Sequence, residues 1–571
     1  MTKLRRKLCL LIIVFLSLYC SAQALLTLTY ANPELPVQNA DTDLQYATIQ
    51  AAINAKETLD GHTIQVNAGT YNENLVLNKS ITLIGQNKFN TIIHEQFPQS
   101  IIYITANNTK LVGFTIEKSS FGYSSIYLYH SRGCNITDNV IKDSYYGIQL
   151  YNSPNNTMSG NMISTCEYGI RLYNSTSNTL SENTVVDNKN GIQIDVSNSN
   201  TVSRNNITLN IWNGIYLFQA SNNTISDNNL SLNSPRGIRS NNSTNNTFFN
   251  NTVMNSEHGF SLYESNKNNL YLNIVSDNTR GIWLMHSNHN IIRANTISNN
   301  SQYGLRLLNS SDNKIFQNNF VNNTLKNAEQ PSNTSFGNLW DNSFEGNYWS
   351  DQNGTDANKD GINDTPYITD QRTWLGIHSK DNYPLMGPFQ PLNLQFQNQS
   401  YSIEIISNST ITEIQYKYSQ KKEEAMLTLK SISPQNSSFC RICVPHALVE
   451  PPYDITINDN PPTYNNTIHT NGTYTWIYVG YNSTENATTI TLMQKIMPIP
   501  QPPIWTQWPF WELLGLIIFA VILSLINIKY HQIINKHKNL LRLYEEKLQK
   551  ADPIIIAREL FTADVISRKT K

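Results

Sequence analysis

Aromatic, arginine and amide side chains recur at fixed distances from a repeated glycine, and their chemistry suits sugars. Eight of them stand two or four residues after such a glycine: Tyr151, Arg171, Tyr173, Tyr216, Arg239, Tyr263, Trp283 and Arg306. Aromatic rings stack on the apolar faces of sugar rings, and arginines bond to hydroxyl and carboxylate groups. The pattern predicts a surface that binds a long glycan. Ordinary exposed sheet, where aromatic residues are also frequent, is the alternative.

Groups that could catalyse a reaction on this surface are few. Hydrolysis of a polysaccharide normally uses two carboxylates about 5–10 Å apart, and lyases pair clustered acids with a basic side chain. Asp195 is alone among the outward positions that follow the glycines, because neighbouring repeats place no acid there. We therefore assign no catalytic residue and expect a non-catalytic protein. A polysaccharide lyase or hydrolase is the alternative class.

A second chemical signal is the acidic sequence DANKDGIND. Its oxygen donors follow the D-x-N-x-D-G-x-x-D spacing of calcium loops, with the side chains of Asp356, Asn358, Asp360 and Asp364 and the carbonyl of Ile362. Tyr367 stands where such loops usually place a bidentate Glu. The spacing predicts a structural calcium site, and an Asp-rich turn without metal is the alternative.

A long internal repeat must position these residues. A glycine followed by an apolar residue returns every 22 or 23 residues, at Gly147, Gly169, Gly191, Gly214, Gly237, Gly259, Gly281 and Gly304. Two rows of asparagine, which begin at Asn156 and Asn161, keep the same interval. Apolar and polar residues alternate over short stretches around these markers. The alternation predicts short strands, whose side chains point alternately inward and outward.

Two kinds of solenoid have repeats of this length. Leucine-rich repeats need an L-x-x-L-x-L spacing, whereas these units contain few leucines and many β-branched and turn-forming residues. A parallel β-helix fits better, since its short strands stack about 4.8 Å apart and place identical residues above one another. Stacked asparagines can then form amide ladders and adopt left-handed geometry at turns. Glycine relieves crowding where the chain bends.

Sequences at both ends of the array resemble a known family. The stretch YATIQAAINAKETLDGHTIQVNAGTYNENLVLNKSITLIGQ resembles the start of pectate-lyase-like right-handed β-helices, where a helix, expected here within residues 47–57, caps the core. The stretches FEGNYWSDQNGTDANKDGINDTPYITD and DNYPLM resemble the closing segment of NosD-type proteins, also called carbohydrate-binding and sugar-hydrolysis repeat proteins. The resemblance covers roughly residues 40 to 390. It implies an all-β, pectin-lyase-like fold in an archaeal-type, membrane-anchored surface protein.

The resemblance also raises copper, because the NosD family is linked to the maturation of a copper enzyme. A copper site needs His, Met or Cys side chains gathered in space. The sequence LMHSNHN places Met285, His286 and His289 in one repeat, but neighbouring repeats have no matching ligands. We therefore expect surface turn residues here rather than copper handling.

Changes in composition predict further segments around the β-helix. A basic start, an apolar run and Ala22-Gln23-Ala24 indicate an export signal, and alternating stretches after Pro391 indicate a β-sandwich. The predicted order is a signal peptide at 1–24, a right-handed parallel β-helix with its N-terminal cap and Asp-rich closing segment at 25–390, a β-sandwich at 391–498, a proline-rich spacer at 499–510, a transmembrane helix at 511–528 and a cytoplasmic tail at 529–571.

The apolar segment 511–528 predicts the location of the protein. It is long enough to cross a membrane once, with tryptophans before it and basic residues after it, which places the tail in the cytoplasm and the bulk outside. Sequons of the form N-x-S/T then predict a glycoprotein. We expect a single-pass protein of the plasma membrane that is exposed at the cell surface.

The charge of the chain narrows the class of partner. A formal net charge of -1, with 15% charged residues, provides no long-range field that would attract nucleic acid. The expected partners are a polysaccharide or envelope glycan and the membrane, with no nucleic acid. A structural spacer or adhesin is a further alternative.

Overall fold

The computed structural model describes residues 35–331, 335–369, 379–419, 424–433, 435–482, 487–494 and 510–548, with side chains in the last range described for 519–543. The predicted signal peptide and the predicted spacer up to residue 509 lie outside the described residues, as does the tail after residue 548. The chain divides into two units, Met1–Lys495 and Ile496–Lys571.

Three long sheets form the first part of the N-terminal unit. The chain passes through them in turn, so each strand pairs with strands about one repeat before and after it in the sequence. Pairing is parallel throughout the repeat region, as between Tyr146–Tyr151 and Tyr168–Tyr173. Val37–Asn39 instead pairs antiparallel with both of its neighbours at the N-terminal end. The predicted parallel β-helix is confirmed.

The strands of the three sheets are short, and we name the sheets I, II and III. Sheet I has 14 strands in the order Leu44–Tyr46, Val37–Asn39, Thr63–Val66, Thr82–Gly85, Lys110–Val112, Asn135–Thr137, Thr157–Ser159, Thr179–Ser181, Thr201–Ser203, Thr224–Ser226, Thr247–Phe249, Asn269–Tyr271, Ile291–Arg293 and Lys314–Phe316. Sheet II has 13 strands: Gly69–Asn72, Thr91–His94, Thr115–Glu117, Val140–Lys142, Met162–Ser164, Thr184–Val186, Asn206–Thr208, Asn229–Ser231, Thr252–Met254, Ile274–Ser276, Thr296–Ser298, Asn319–Val321 and Tyr348–Trp349. Sheet III has 12 strands: Leu75–Leu77, Ile102–Ile104, Ser124–Tyr129, Tyr146–Tyr151, Tyr168–Tyr173, Asn190–Asp195, Asn213–Phe218, Arg236–Asn241, His258–Tyr263, Arg280–Met285, Tyr303–Leu308 and Lys326–Glu329.

A short helix, Ile49–Asn54, packs at the N-terminal end of the solenoid. The side chain of Thr48 accepts a hydrogen bond from the Ala51 amide, and the Glu73 carboxylate accepts from the amides of Ile49 and Gln50 at 3.0 and 2.9 Å. These bonds satisfy the free amides of the first helical turn. The helix buries its apolar side in the same core as the sheets.

Asparagine ladders run along the axis of the solenoid, as the repeat predicted. The side-chain oxygen of Asn178 accepts the backbone amide of Asn156 at 2.8 Å, and Asn200 accepts that of Asn178 in the same way. A second ladder includes Asn183 and Asn205, both buried, where each amide bonds to the next asparagine. The ladders satisfy polar backbone at the bends between sheets, where strand pairing is interrupted.

The left-handed turn residues differ from the sequence prediction in one respect. Positive φ angles fall on the residue before each ladder asparagine, as at Ser177 (φ 58) and Ser199 (φ 58), rather than on the ladder residue itself. The left-handed residue turns the chain, while the following asparagine points inward and bonds to the next coil. Separate residues therefore carry out the two tasks that we expected of one asparagine.

The repeated glycine is required by close packing between coils. A Cβ atom on Gly169 would lie 2.6 Å from the carbonyl oxygen of Gly191 and 2.9 Å from Cγ1 of Val185. Real Cβ atoms do not approach so closely, so any other residue would force the coils apart. The predicted relief of crowding is confirmed.

Antiparallel sheets follow the solenoid within the same unit. A two-strand pair joins Tyr367–Ile368 to Lys380–Asp381. The other two sheets have five strands, Phe389–Phe396, Gln399–Ser407, Ser437–Pro445, Tyr474–Asn482 and Tyr464–Thr470, and four strands, Thr410–Ser419, Glu424–Ile432, Thr488–Gln494 and Tyr453–Ile457. Buried residues of the five-strand and four-strand sheets, such as Ile403 and Leu427, form one core. These two packed sheets are the β-sandwich that the alternating pattern indicated.

The described residues of the C-terminal unit form the helix Phe510–Leu548, of 39 residues. Across the residues whose placement is described, no helix is long and apolar enough to cross a membrane. Side chains 511–518, which belong to the predicted span, lie outside that description. The membrane crossing at 511–528 therefore stays a prediction.

Candidate functional site

The outward face of sheet III carries the predicted glycan-binding residues in straight rows. In the strand Tyr146–Tyr151, Ile148 and Leu150 point into the core, and Gln149 and Tyr151 point outward. Gln149 lies opposite Arg171, and Tyr151 lies opposite Tyr173 on the next coil. The pairing skips the glycine, so the residue before it also faces outward. Each six-residue strand of sheet III therefore has three positions on its outward side, of which Asn190, Asn213 and His258 are buried by their neighbours.

Five tyrosines lie together on this face in two adjacent rows, which we call the tyrosine ladder: Tyr103 and Tyr127 in one row, and Tyr129, Tyr151 and Tyr173 in the other. The ring centroids of Tyr103 and Tyr127 are 5.5 Å apart, those of Tyr129 and Tyr151 5.7 Å, and those of Tyr151 and Tyr173 5.2 Å. Such spacing is typical of aromatic attraction. Tyr173 is exposed and the other four side chains are half-buried, so a ligand can reach part of each ring.

The glycine marker missed three members of the tyrosine ladder. Tyr103, Tyr127 and Tyr129 belong to earlier coils that lack the glycine, although IIYIT and SIYLY show the same apolar and aromatic alternation. Burial, with a smaller contribution from Tyr103, raises the pKa of Tyr127 to about 12. Its hydroxyl stays protonated at neutral pH and can donate a hydrogen bond to a ligand.

Asp195 is buried, although strict alternation predicts an exposed carboxylate. It is 4% exposed, and its Oδ2 lies 2.9 Å from Nε of Arg171. The Gln193 side-chain amide lies 2.9 Å from each carboxylate oxygen, and Arg171 also donates to the hydroxyl of Tyr146 at 3.0 Å. Arg171 thus joins Asp195 to Tyr146, which stands in the row before the glycine. Neither charge is free to act on a ligand alone.

A second group on the same face is rich in arginine, and we call it the arginine cluster: Arg236, Arg239, His258, Arg280, Trp283 and Arg306. Trp283 stacks on His258 with ring centroids 4.7 Å apart. The guanidinium carbon of Arg280 lies 5.2 Å from the centroid of a Trp283 ring, and that of Arg306 lies 5.9 Å away. Cation–π contacts of this kind hold arginines in place.

The sequence prediction found part of this cluster. Arg239, Trp283 and Arg306 were assigned to the site, and Tyr216 lies beside Arg239, with its ring centroid 4.9 Å from the guanidinium carbon. Arg236, His258 and Arg280 were not assigned, because they precede the glycine. Most residues of that row are polar, and this signal of an outward direction would have identified all three.

Tyr263 lies apart from both groups. It faces Asn241 and Met285 on neighbouring coils, and its ring meets the edge of His286 at a centroid distance of 5.8 Å. His286 and His289 have φ angles of 51° and 57°, so both are turn residues as expected. In the part of the chain that the structure describes, no three His, Cys, Asp or Glu side chains form a group that could hold a metal ion.

The predicted calcium loop is held together by its own hydrogen bonds. Both oxygens of Asp356 accept backbone amides, from Asp360 and Gly361, at 3.0 Å each. Asp364 accepts from the Ala357 amide at 3.0 Å, and Asp360 accepts from the Ile362 amide and the Asn358 side chain at 2.8 and 2.9 Å. Burial raises the pKa of Asp356. The carboxylates thus stabilise the turn itself, and calcium binding stays a prediction.

Comparisons with known proteins agree with the repeat structure. A family model described as periplasmic copper-binding protein (NosD) matches residues 210–354, and one described as right-handed β-helix region matches residues 100–253. A cell surface glycoprotein of Methanothermus fervidus is 38% identical over 111 residues, which are 19% of this chain and 18% of the relative. The chain thus spans less than a fifth of that relative's length.

Solved structures with a similar fold include two A-modules of mannuronan C-5 epimerases from Azotobacter vinelandii. One has 18% sequence identity and a TM-score of 0.47, with 51% of this chain and 93% of the module covered. The other has 16% identity and a TM-score of 0.44, with 54% and 98% covered. The family models, the sequence relative and the stacked parallel strands together place the repeat region in the right-handed β-helix repeat family.

Proposed function

We propose that this protein acts at the cell surface and binds glycan or envelope polysaccharide along the outward face of sheet III, without cleaving it. The tyrosine ladder carries this proposal, since its rings repeat at centroid distances of 5.2–5.7 Å along the solenoid axis. The name of the sequence relative, a cell surface glycoprotein, supports the location.

Regular spacing suits a polymer better than a small ligand. A sugar chain along the axis would meet one set of ring edges and hydroxyls on each coil. Each contact is weak, but linked contacts raise the overall affinity well above that of any single one. The aligned positions of Tyr129, Tyr151 and Tyr173 supply such repetition on successive coils.

Binding without cleavage is supported by the pairing of acids on this face. Asp195 is paired with Arg171, Glu257 with Arg280, and Glu329 with Arg306, at 2.9, 3.2 and 2.8 Å. A carboxylate that is held by an arginine is directed toward that partner rather than toward a bound sugar. A lyase or hydrolase would need an acid or base that is free of such a partner.

The proposal includes anchoring through the C-terminal helix. The helix Phe510–Leu548 contains the apolar segment 511–528, and a single crossing there would hold the β-helix outside the cell. Protease added to intact cells should then remove the solenoid and leave the region after Lys529 intact. A full-length protein released into the medium would contradict the anchor.

Two stacked ring pairs on different sheets provide a matched test of glycan binding. The purified full chain would be titrated with soluble neutral and acidic polysaccharides. Tyr151→Ala with Tyr173→Ala removes the sheet III pair. Phe249→Ala with Tyr271→Ala removes a pair on sheet I with a similar centroid distance, 5.3 Å. We expect loss of polymer binding only in the first variant, about tenfold or more if two stacking contacts are lost. Equal binding by wild type and both variants would refute the proposal.

A further inference from the structure

We propose that the arginine cluster makes this surface selective for acidic glycans, that is, for polymers whose sugars carry carboxylate or sulfate groups. The inference rests on the proposed function, because the cluster lies on the same face of sheet III as the tyrosine ladder. It adds the chemical class of the polymer, which stacked tyrosines do not specify.

The first observation is an excess of positive charge. Two carboxylates, Glu257 and Glu329, face five basic side chains: Arg236, Arg239, Arg280, Arg306 and Lys326. Among the described residues, Arg236 and Arg239 have no ion pair. Burial and the neighbouring Arg239 lower the pKa of Arg236. Like charges held this close are stabilised by an anion placed between them.

The second observation is a set of buried hydrogen-bond donors without acceptors. Nε of Arg236, Nε of Arg280 and Nε1 of Trp283 have no partner in the described protein. Nδ1 of His258 also has none. Nε2 of His258 lies 3.2 Å from an Arg280 nitrogen, which can only donate, and 3.4 Å from Glu257 Oε1, which can only accept. The arginine and tryptophan atoms are donors whichever ring nitrogen of His258 carries the proton.

Donors that lack partners favour an anionic ligand over a neutral one. A buried donor without an acceptor costs about 1–3 kcal/mol, and carboxylate and sulfate groups bring acceptor oxygens only. Each hydroxyl group of a neutral sugar brings an O–H donor together with its acceptor oxygen. An acidic sugar matches the cluster in hydrogen bonding as well as in charge.

The third observation is that the arginines are both fixed and accessible. Trp283 and His258 stack beneath Arg280, and Arg306 extends over the rings of Trp283 and Tyr303. The side chains of Arg280 and Arg306 are 22% and 27% exposed, so an anion can reach them. A guanidinium that is already oriented loses little entropy on binding, and its planar fork fits a carboxylate or sulfate.

The test compares polymers that differ only in charge. Polygalacturonate and its fully methyl-esterified form share one backbone, and dextran sulfate and dextran form a second pair. We expect the full chain to bind each charged polymer at least about tenfold more tightly than its neutral partner, which corresponds to one charge-assisted hydrogen bond. Added salt should weaken the binding of polygalacturonate and dextran sulfate and leave the binding of the two neutral polymers unchanged.

A variant that lacks two arginine charges tests whether the arginine cluster causes the selectivity. Arg236→Gln with Arg239→Gln should lose most of the preference for charged polymers and keep the affinity for neutral ones. Arg204→Gln is the matched control, because Arg204 is exposed and pairs with Glu182 on another part of the coil. Melting curves would show that each variant is folded.

The outcomes separate this inference from the proposed function. If charged and esterified polymers bind equally and the tyrosine variant weakens both, glycan binding stands and the acidic selectivity is wrong. If neither polymer binds, the proposed function fails. If a DNA oligonucleotide binds as tightly as polygalacturonate and Arg204→Gln weakens both as much as the double variant, the surface attracts any polyanion and the inference is overturned.

Discussion

The tyrosine ladder and the arginine cluster lie on the same face of the same sheet, yet they offer a ligand different forces. In the ladder, neutral rings stack at 5.2–5.7 Å, and Arg171, on the same strand as Tyr173, is neutralised by Asp195. In the cluster, arginines outnumber carboxylates and several donors lack acceptors. The backbone of the two regions is the same repeated coil. Chemistry on this solenoid can therefore change from coil to coil without a change of fold.

The largest expected effect comes from breaking the scaffold that both regions share. Asn205 is buried in an asparagine ladder, on a coil that lies along the chain between the two regions. Its side-chain oxygen accepts a hydrogen bond from the Asn183 amide, and its side-chain nitrogen donates one to the Leu180 carbonyl, both at 2.9 Å. Asn205→Ala leaves buried polar backbone without partners, so we expect a loss of about 3 kcal/mol or more in unfolding free energy. Denaturant unfolding measures it, and both kinds of polymer binding should weaken as the fold is lost.

The neighbouring residue provides the control for this prediction. Asn206 is exposed, and its side-chain oxygen accepts a hydrogen bond from the Asn229 side chain at 3.2 Å. Asn206→Ala should change stability by about 0.5 kcal/mol or less. Equal destabilisation by the two substitutions would show that the ladder does not stabilise the coils.

A second prediction concerns stability against pH at the closing end of the solenoid. Burial, together with Glu345, raises the pKa of Glu404 to about 7. A carboxyl whose folded pKa is raised contributes most stability below its unfolded pKa, and that contribution is lost as pH rises through about 7. Unfolding free energy should therefore fall by on the order of 1–2 kcal/mol from about pH 4.5 to about pH 7.5.

Glu404→Gln should flatten this fall, and thermal melting at a series of pH values measures the change. Burial also raises the pKa of Asp381 to about 7, so a residual slope should persist in the variant. Glu413→Gln, at an exposed carboxyl beside Lys430, should leave the slope unchanged. Because Glu404 is remote from sheet III in the topology, the preference for charged polymers should not change. A Glu404→Gln protein with the wild-type slope would contradict the prediction.

A third prediction concerns a substitution that gives the surface beside the tyrosine ladder a free positive charge, as in the arginine cluster. Asp195→Asn removes the charge that neutralises Arg171 and leaves the side-chain volume nearly unchanged. Arg171 would then add a free positive charge beside the tyrosine ladder, so we expect acidic polymers to bind about threefold to tenfold more tightly, as for one exposed charge pair or slightly more. Binding of the methyl-esterified polymer is the internal control. If the folded variant binds both polymers with unchanged affinity, Arg171 is not part of the binding surface.

The smallest expected effect concerns the predicted calcium loop, which lies outside both regions. Asp356→Ala with Asp360→Ala removes two of the predicted ligands and the bonds that hold the turn. If calcium binds, wild type should gain a few degrees in melting temperature with calcium and lose the gain with a chelator, since binding to the folded state alone is stabilising. The double variant should show no such shift. If neither calcium nor chelator changes the melting temperature of the wild type, the loop is a turn without metal.

Most of the fold follows from local sequence pattern. The glycine and asparagine intervals of 22–23 residues predict the coil length, and alternation predicts which residues are buried. Parallel stacking then places Tyr151 above Tyr173 and Gln149 above Arg171, as observed. The earlier coils lack the repeated glycine, so the pattern missed the ladder residues Tyr103, Tyr127 and Tyr129.

The sequence by itself determined the repeat, the rows and the outward positions, because a solenoid coil contacts mainly its neighbours and identical units stack in one register. Only the tertiary structure decided how side chains within those rows interact. It buried Asp195 against Arg171, stacked His258 on Trp283 and left Nε of Arg236 and Nε of Arg280 without acceptors. Those outcomes depend on side-chain rotamers and on residues one coil away, about 22 positions distant in the chain. A pattern of residue types specifies positions, whereas pairing and burial depend on distances that only the folded chain defines.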